Sequence, residues 1–186
     1  MDRRQKKTRK AIMDAFYSLL TTKKYANITV QDIIDAADVG RSTFYAHFET
    51  KEALLDEICS GLFEHVSMPS GAECTHDFTN EPENITHLTA HILCHLTEPD
   101  NPVLTMIRGE SRDIFLTMFK DYLKNAFSEY GNYRNYTEDV PEDLILSHIS
   151  GSFVNLIEWW TASGMKEDSD TLMRYYLDMM RSSLIL

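Results

Sequence analysis

Cysteine is scarce in this chain, with three residues, Cys59, Cys74 and Cys94, and no CxxC spacing among them. That excludes a disulfide framework and predicts thiols that fill space in a reducing cytoplasm. No apolar run is long enough to cross a bilayer, and the first residues are charged where a secretory signal would be apolar. A cytoplasmic protein with no membrane partner is expected, so the glycosylation-like triplets at Asn27, Asn84 and Asn135 carry no meaning. The signatures of catalysis are missing as well: no nucleophile elbow, no glycine-rich phosphate loop, no HExxH and no paired carboxylates in recognisable context. An enzyme is not expected, nor a cofactor. Internal repeats and low-complexity tracts are absent too, and strand-like alternation is almost nowhere to be found.

What the chain does have is a divided charge. Its 186 residues are 43% hydrophobic, ample for a core, and carry a net charge of -11. Residues 1–50 hold nine basic and six acidic side chains, a net +3, while the remainder holds nine and twenty-three, a net -14. A basic head on an acidic body suits a protein that grips phosphate at one end and repels it elsewhere.

Helical periodicity runs through nearly the whole length. Residues 4–22 place Ile12, Ala15, Phe16, Leu19 and Leu20 on one stripe with Lys and Arg opposite. Thr29 and Asp32 have the spacing of a capping box, opening a helix that buries Ile33, Ile34 and Ala37. A third helix begins after Val39-Gly40. A fourth, at 51–66, carries Leu54, Leu55, Ile58, Leu62 and Phe63. Residues 67–84 are polar and proline-marked and predict a loop. Helices resume at about 85–97, 101–109, 111–130, 141–163 and 168–184, with Gly164 placed as a C-terminal cap. The predicted fold is all-α: a helix-turn-helix domain over 1–50 and a helical effector-binding and dimerisation domain over 51–186, with 51–66 as the connecting helix.

Residues 29–51 carry the functional signal. Asp38-Val39-Gly40 supplies a tight turn, with Val39 as a buried plug and Gly40 giving backbone freedom or a helix cap. Arg41, Ser42 and Thr43 form the first turn of the following helix, where side chains reach base edges or phosphates. Phe44 and Phe48 face inward, leaving Tyr45 and His47 outside to bond phosphate oxygens. Lys51 opens the next helix as a further phosphate site, and the cluster at 3–10 is placed to follow the backbone or reach a groove. Thr29-Val30, Asp32-Ile33, Ala36-Ala37, Val39, Thr43-Phe44-Tyr45-Ala46-His47-Phe48 and Lys51-Glu52-Ala53-Leu54 together resemble the TetR family of bacterial transcriptional regulators over about 10–66. That resemblance implies an all-helical homodimer with three N-terminal helices for DNA. Carried over by position, it makes Thr29, Arg41, Ser42, Thr43, Tyr45, His47 and Lys51 the DNA contacts. Gly40 departs from the family, which often has a capping serine there.

The C-terminal part has more apolar surface than one core needs. The helix at 141–163 has Leu146, Ile149, Phe153, Leu156, Ile157 and Trp160, with Ser147, Ser150 and Gly151 small enough for close approach. A four-helix bundle across a twofold axis is expected, with Leu146, Ser150, Phe153, Ile157, Leu172, Tyr176 and Met179 at the interface. An effector pocket is assigned to Phe115, Met118, Phe119, Tyr122, Phe153, Glu158 and Trp160, residues that serve equally as core. Phe127 joins them on the same terms. His87, His91 and His95 share a helix face with Cys94 adjacent. Paired histidines of this kind bind metal or simply decorate a surface helix, and no metal site is assigned. Residues 151–160 with Gly164-Met165 are similar to the dihydroxyacetone kinase regulator-like branch, which includes a co-activator that binds a protein. The expected function is a repressor released from a palindromic operator by a small effector. The alternative is a co-activator docking a partner protein through an exposed surface at Trp159 and Trp160.

Overall fold

The computed structural model of the protein describes residues 3–67, 85–98, 101–130 and 140–183. All regular structure among them is helical: α1 Arg3–Thr22, α2 Val30–Ala37, α3 Arg41–Tyr45, α4 Lys51–Ser67, α5 Ile85–Leu96, α6 Pro102–Arg108, α7 Arg112–Tyr130, α8 Glu142–Ala162 and α9 Ser169–Ser183. A 3-10 turn at Tyr25–Asn27, which periodicity does not announce, precedes α2. The expected loop lies outside the described residues except for Ser67, which ends α4; so do Cys74, Asn84 and Asn135.

Two compact units emerge, Met1–Leu62 with Pro102–Phe115, and Phe63–Asn101 with Leu116–Leu186. This partition differs from a division at residue 50. Helix α4 as far as Leu62 and all of α6 belong with the head, and for α6 the reason is visible in the hydrogen bonds. A helix leaves its last carbonyls without partners. Here Ser111 N–H donates to Leu20 O and Glu110 N–H to Thr21 O, both at 3.2 Å, and the Ser111 hydroxyl donates to Lys23 O at 2.7 Å. The turn after α6 thereby caps the end of α1, and Tyr17 Oη donates to Pro102 O at 3.0 Å.

In the head unit the α1 stripe buries Ile12, Phe16 and Leu20 fully, with Ala15 and Leu19 half-buried. Ile33, Ile34, Phe44, Phe48, Leu54, Leu55 and Ile58 join them, together with Val103, Met106 and Phe115 from the capping segment. Cys59 lies in this core, where burial pushes its thiol up to about 12, consistent with a filler role.

The second unit is built around α5, whose residues from Leu88 to Leu96 are all buried save Ala90. His91 and His95 are among them, so they do not form a surface stripe; their ring centres lie 4.6 Å apart. Helix α9 packs on α5 and α8. Phe63 stacks on Phe119 at 5.0 Å, and Phe153 meets Tyr176 edge-on at 5.3 Å. At the end of α8, Gly164 N–H reaches Thr161 O and Met165 N–H reaches Trp160 O, with Gly164 at φ 90. This is the Schellman arrangement, and it needs the left-handed residue that glycine supplies.

Gly109 tests how tightly the α6–α7 turn is held against α1. A Cβ there would stand 2.9 Å from the Thr21 Cα and 3.3 Å from Leu20 O. Gly109→Ala is expected to destabilise the protein by about 1–3 kcal/mol through forced backbone displacement. Urea denaturation measures this, and a neutral result would show that the contact yields freely.

Candidate nucleic-acid interface

The turn before α3 is made differently from the sequence expectation. The left-handed residue is Asp38, at φ 51, and Val39 N–H bonds Ile34 O while Asp38 N–H bonds Asp35 O, again in the Schellman pattern. Gly40 is extended, at φ -77 and ψ 154, and serves as the N-cap of α3 without a side-chain bond. Of its two expected roles only the cap position applies. Val39 is half-buried rather than a sealed plug.

Helix α3 presents two faces. Phe44 is fully buried and Phe48 3% exposed, their ring centres 6.1 Å apart. Arg41 and Ser42 are exposed, Thr43 and His47 half-buried, and Tyr45 is 49% exposed, its ring edge-on to Phe44. Arg41, Ser42 and Tyr45 form the accessible tip: a planar cation, a hydroxyl and a phenol, all able to donate to base edges or phosphate oxygens.

Thr29 and Lys51, also expected as DNA contacts, have structural work. Thr29 is the N-cap of α2: its hydroxyl accepts from Asp32 N–H at 3.1 Å, while the Thr29 N–H and hydroxyl reach Asp32 Oδ2 at 2.8 and 2.6 Å. The Thr29 hydroxyl and N–H, with Lys23, hold the Asp32 carboxyl far below its ordinary range. A depressed carboxylate contributes stability that is complete above the unfolded value of about 3.9 and fades as pH falls through the folded one. The capping box is therefore intact at neutral and mildly acid pH.

Lys51 Nζ donates to Tyr25 O at 3.1 Å and Ile28 O at 2.8 Å, and sits 4.0 Å from the centre of the Tyr25 ring. Two of its three protons are directed inward, fixing the chain just ahead of α2. Tyr25 in turn donates to Glu52 at 2.8 Å; burial and the Glu52 carboxylate raise its phenol above the usual value. In the basic cluster at 3–10, Lys10 pairs with Asp14 and Arg9 is held inside the head by Glu57, leaving Arg3, Arg4, Lys6 and Lys7 exposed. Arg9, Glu57 and Tyr25 were missed as site-forming residues because their partners lie 27 to 48 positions away.

In the second unit, six of the seven expected interface residues are already covered within one protomer. Leu146, Ser150, Phe153, Ile157, Leu172 and Tyr176 are all at most 5% exposed, whereas Met179 is 43% exposed. The large apolar side chains exposed among the described residues of this unit are Val140, Leu144, Trp159, Tyr175 and, from the expected set, Met179, with Trp159 and Tyr175 in edge contact at 6.1 Å. Of the expected pocket residues, Phe115 belongs to the head unit, and Phe119, Phe153 and Trp160 are buried, as is Phe127. Met118, Tyr122 and Glu158 are half-buried. A groove of about 390 Å³ does lie between α5 and α9, but Ala90, Cys94, Met173, Arg174 and Leu177 line it, with none of the seven. Among the described residues no three His, Cys, Asp or Glu side chains are placed to hold a metal, and no helix is long and apolar enough to cross a membrane.

The division between inward-bonded and exposed polar residues predicts unequal effects on stability. Lys51→Met, which removes two charge-assisted bonds, is expected to lower unfolding free energy by about 2 kcal/mol. Arg41→Ala, at the exposed tip, is expected to change it by less than about 0.5 kcal/mol. Equilibrium denaturation of both variants decides, and a neutral Lys51→Met would return that ammonium to the DNA-facing set.

The description "Bacterial regulatory proteins, tetR family" matches residues 12–58, and "Transcriptional regulator C-terminal region" matches 83–182. A TetR transcriptional regulator from Streptococcus agalactiae 2603V is 34% identical, with a TM-score of 0.71 over 96% of each chain. The uncharacterised HTH-type regulator YxbF of Bacillus subtilis is 37% identical over 75 residues, 38% of this chain and 20% of that protein. DhaS of Lactococcus lactis, the dhaKLM operon transcriptional activator, is 41% identical over 58 residues, 31% of this chain and 29% of that protein. The chain thus spans less than a third of the length of these two curated relatives. With both parts of the chain matched and a full-length structural counterpart at this identity, the protein belongs to the tetR family of bacterial regulatory proteins, DNA-binding regulators of transcription.

Proposed function

We propose that the protein is a cytoplasmic homodimeric repressor that places α3 of each head in the major groove of a palindromic operator and leaves it when a small effector binds the C-terminal unit. The observation that carries this reading is the exposed tip of Arg41, Ser42 and Tyr45 on a helix anchored from behind by Phe44 and Phe48. Functionally we divide the chain into a reading head, 1–50, and an effector-binding and dimerising part, 51–186. Arg41, Ser42 and Tyr45 make the principal contacts, Thr43 and His47 lie at the margin, and Thr29 and Lys51 approach phosphate only with the groups left over from their internal bonds.

Dimerisation is assigned to the outer faces of α8 and α9, where Leu144, Trp159, Tyr175 and Met179 supply exposed apolar area. Two heads one or more helical turns apart, ~34 Å each, read a palindrome. Met118, Tyr122 and Glu158 are the pocket residues that retain access from solvent, and the effector must bind the DNA-released state more tightly than the DNA-bound one. The co-activator alternative rests on an unfilled, solvent-exposed aromatic surface around Trp159 and Trp160 with no closed cavity, and Trp159 is 48% exposed. Trp160 is 1% exposed and donates its N–H to Glu167 O at 3.0 Å, so that reading draws no support from it.

Two measurements test the proposal on DNA from the flanks of the gene. Affinity should fall with salt by ~0.9 log units per neutralised phosphate per decade, and Arg41→Ala should weaken binding by ~1–3 kcal/mol. A flat salt response would remove the backbone-gripping head. Trp159→Glu combined with Met179→Glu is expected to yield monomers in sedimentation analysis and at least ~100-fold weaker operator binding, because each head then binds without the other. Dimers of unchanged stability would place the interface elsewhere.

A further inference from the structure

Arg9 sits in the first helix of a DNA-binding head, where a cation is readily assigned to phosphate. Its contacts point the other way. Nε donates to Glu57 Oε1 at 3.0 Å and Nη2 to Glu57 Oε2, a two-pronged pairing. Nη1 donates to the His47 carbonyl at 3.0 Å, and the guanidinium carbon lies 4.3 Å from the centre of the Phe48 ring. One side chain thus joins α1, the residues that leave α3, and α4.

The geometry has a physical reason. His47 O lies where the helical path out of α3 ends, among carbonyls with no partner further along the chain. A cation there satisfies a carbonyl and the negative end of the helix together. Only arginine can do this and keep both oxygens of a carboxylate, since its five donors sit in a rigid fork while an ammonium is a point charge. Exposed ion pairs commonly contribute little. This one is 29% and 37% exposed, doubly bonded, shared with a backbone carbonyl and laid over an aromatic ring. Phe48 is also one of the two anchors of α3. We infer that Arg9, held by Glu57, is a positioning residue for operator recognition: it fixes the exit of α3 against α1 and α4 and does not contact phosphate. The inference rests on the DNA-binding reading above for its consequence, but the clamp can be tested without DNA.

Two variants of the full-length chain separate clamp from contact. Arg9→Lys keeps the charge and loses the fork; Glu57→Gln removes a negative charge and weakens the same bonds. In amide hydrogen exchange, the N–H groups of Ala46, His47 and Phe48 should exchange at least ~tenfold faster in both variants, with those around Phe16 unchanged. Wild-type protection at these three amides in Arg9→Lys overturns the clamp, whatever happens on DNA. On a duplex selected by the wild-type protein from a random-sequence library, both variants should bind at least ~tenfold more weakly, with an unchanged salt slope and unchanged affinity for unselected duplex. A phosphate contact predicts the reverse: Arg9→Lys near wild type, Glu57→Gln tighter, and, in a third variant, Arg9→Met, a slope reduced by ~0.9. That pattern overturns the assignment. If the wild-type protein selects no duplex, the regulator reading fails while the exchange experiment still decides the clamp.

Discussion

Burial of Phe44 and Phe48 is the interaction on which the reading head depends, because α3 is too short to persist by itself. Five residues form little more than one turn, below the length at which a helix is marginal in water. Gly40 offers no side-chain acceptor at the N-cap. Burying one phenylalanine contributes about 1.5–3 kcal/mol, whereas fixing a residue's backbone costs about 1–2 kcal/mol. Two rings alone therefore do not comfortably offset an ordered turn of this length. The remaining stabilisation must come from other elements touching the ends of α3. The exposed tip can stay polar only because its position is set from behind.

This constraint explains why several polar residues of the motif are engaged with the backbone. Thr29 starts α2, Lys51 ties the carbonyls of Tyr25 and Ile28, and the end of α1 is capped by the turn after α6. These bonds serve backbone groups where an element begins or ends, most of them unpaired by chain geometry, while Tyr25 O takes Lys51 as a second donor beside the Ile28 N–H. Short helices have many such ends for their length, so a head built from them needs side chains of high donor capacity. Lysine and arginine supply three and five protons. In a protein of this kind, basic residues thus divide between holding the reading surface and forming it, and composition does not distinguish the two.

Helix positions were legible because the signals are local. Stripes at Ile12, Phe16 and Leu20 and the Thr29–Asp32 box involve neighbours three or four residues apart, and the structure places helices where they indicate. The exposed tip at Arg41 and Ser42 was equally readable, as was the inward turn of Phe44 and Phe48. What remained hidden depends on distant partners. The left-handed residue is Asp38, though Gly40 looked the better candidate, since the end of α2 fixes the dihedral and the sequence only tolerates it. Arg9 meets Glu57 across 48 positions, and α6 joins the head by hydrogen bonds to carbonyls more than eighty residues earlier. Periodicity has no access to either.

The two C-terminal helices show why an apolar arc cannot be divided by pattern alone. Leu146, Ser150, Phe153 and Ile157 recur at helical spacing and looked like a seam for a second chain, yet they are buried within the protomer's own core. Such a stripe is what any core-facing helix displays. Surface for another molecule must be counted after the core is satisfied, and the large apolar side chains left exposed here are Leu144 and Trp159 on α8 and Tyr175 and Met179 on α9, of which only Met179 belongs to the expected seam. Trp159 and Tyr175 stand exposed with their rings in edge contact, apolar area that the core leaves uncovered. The net -14 carried beyond residue 50 opposes the approach of nucleic acid to that area, whereas the net +3 of residues 1–50 favours it at the head.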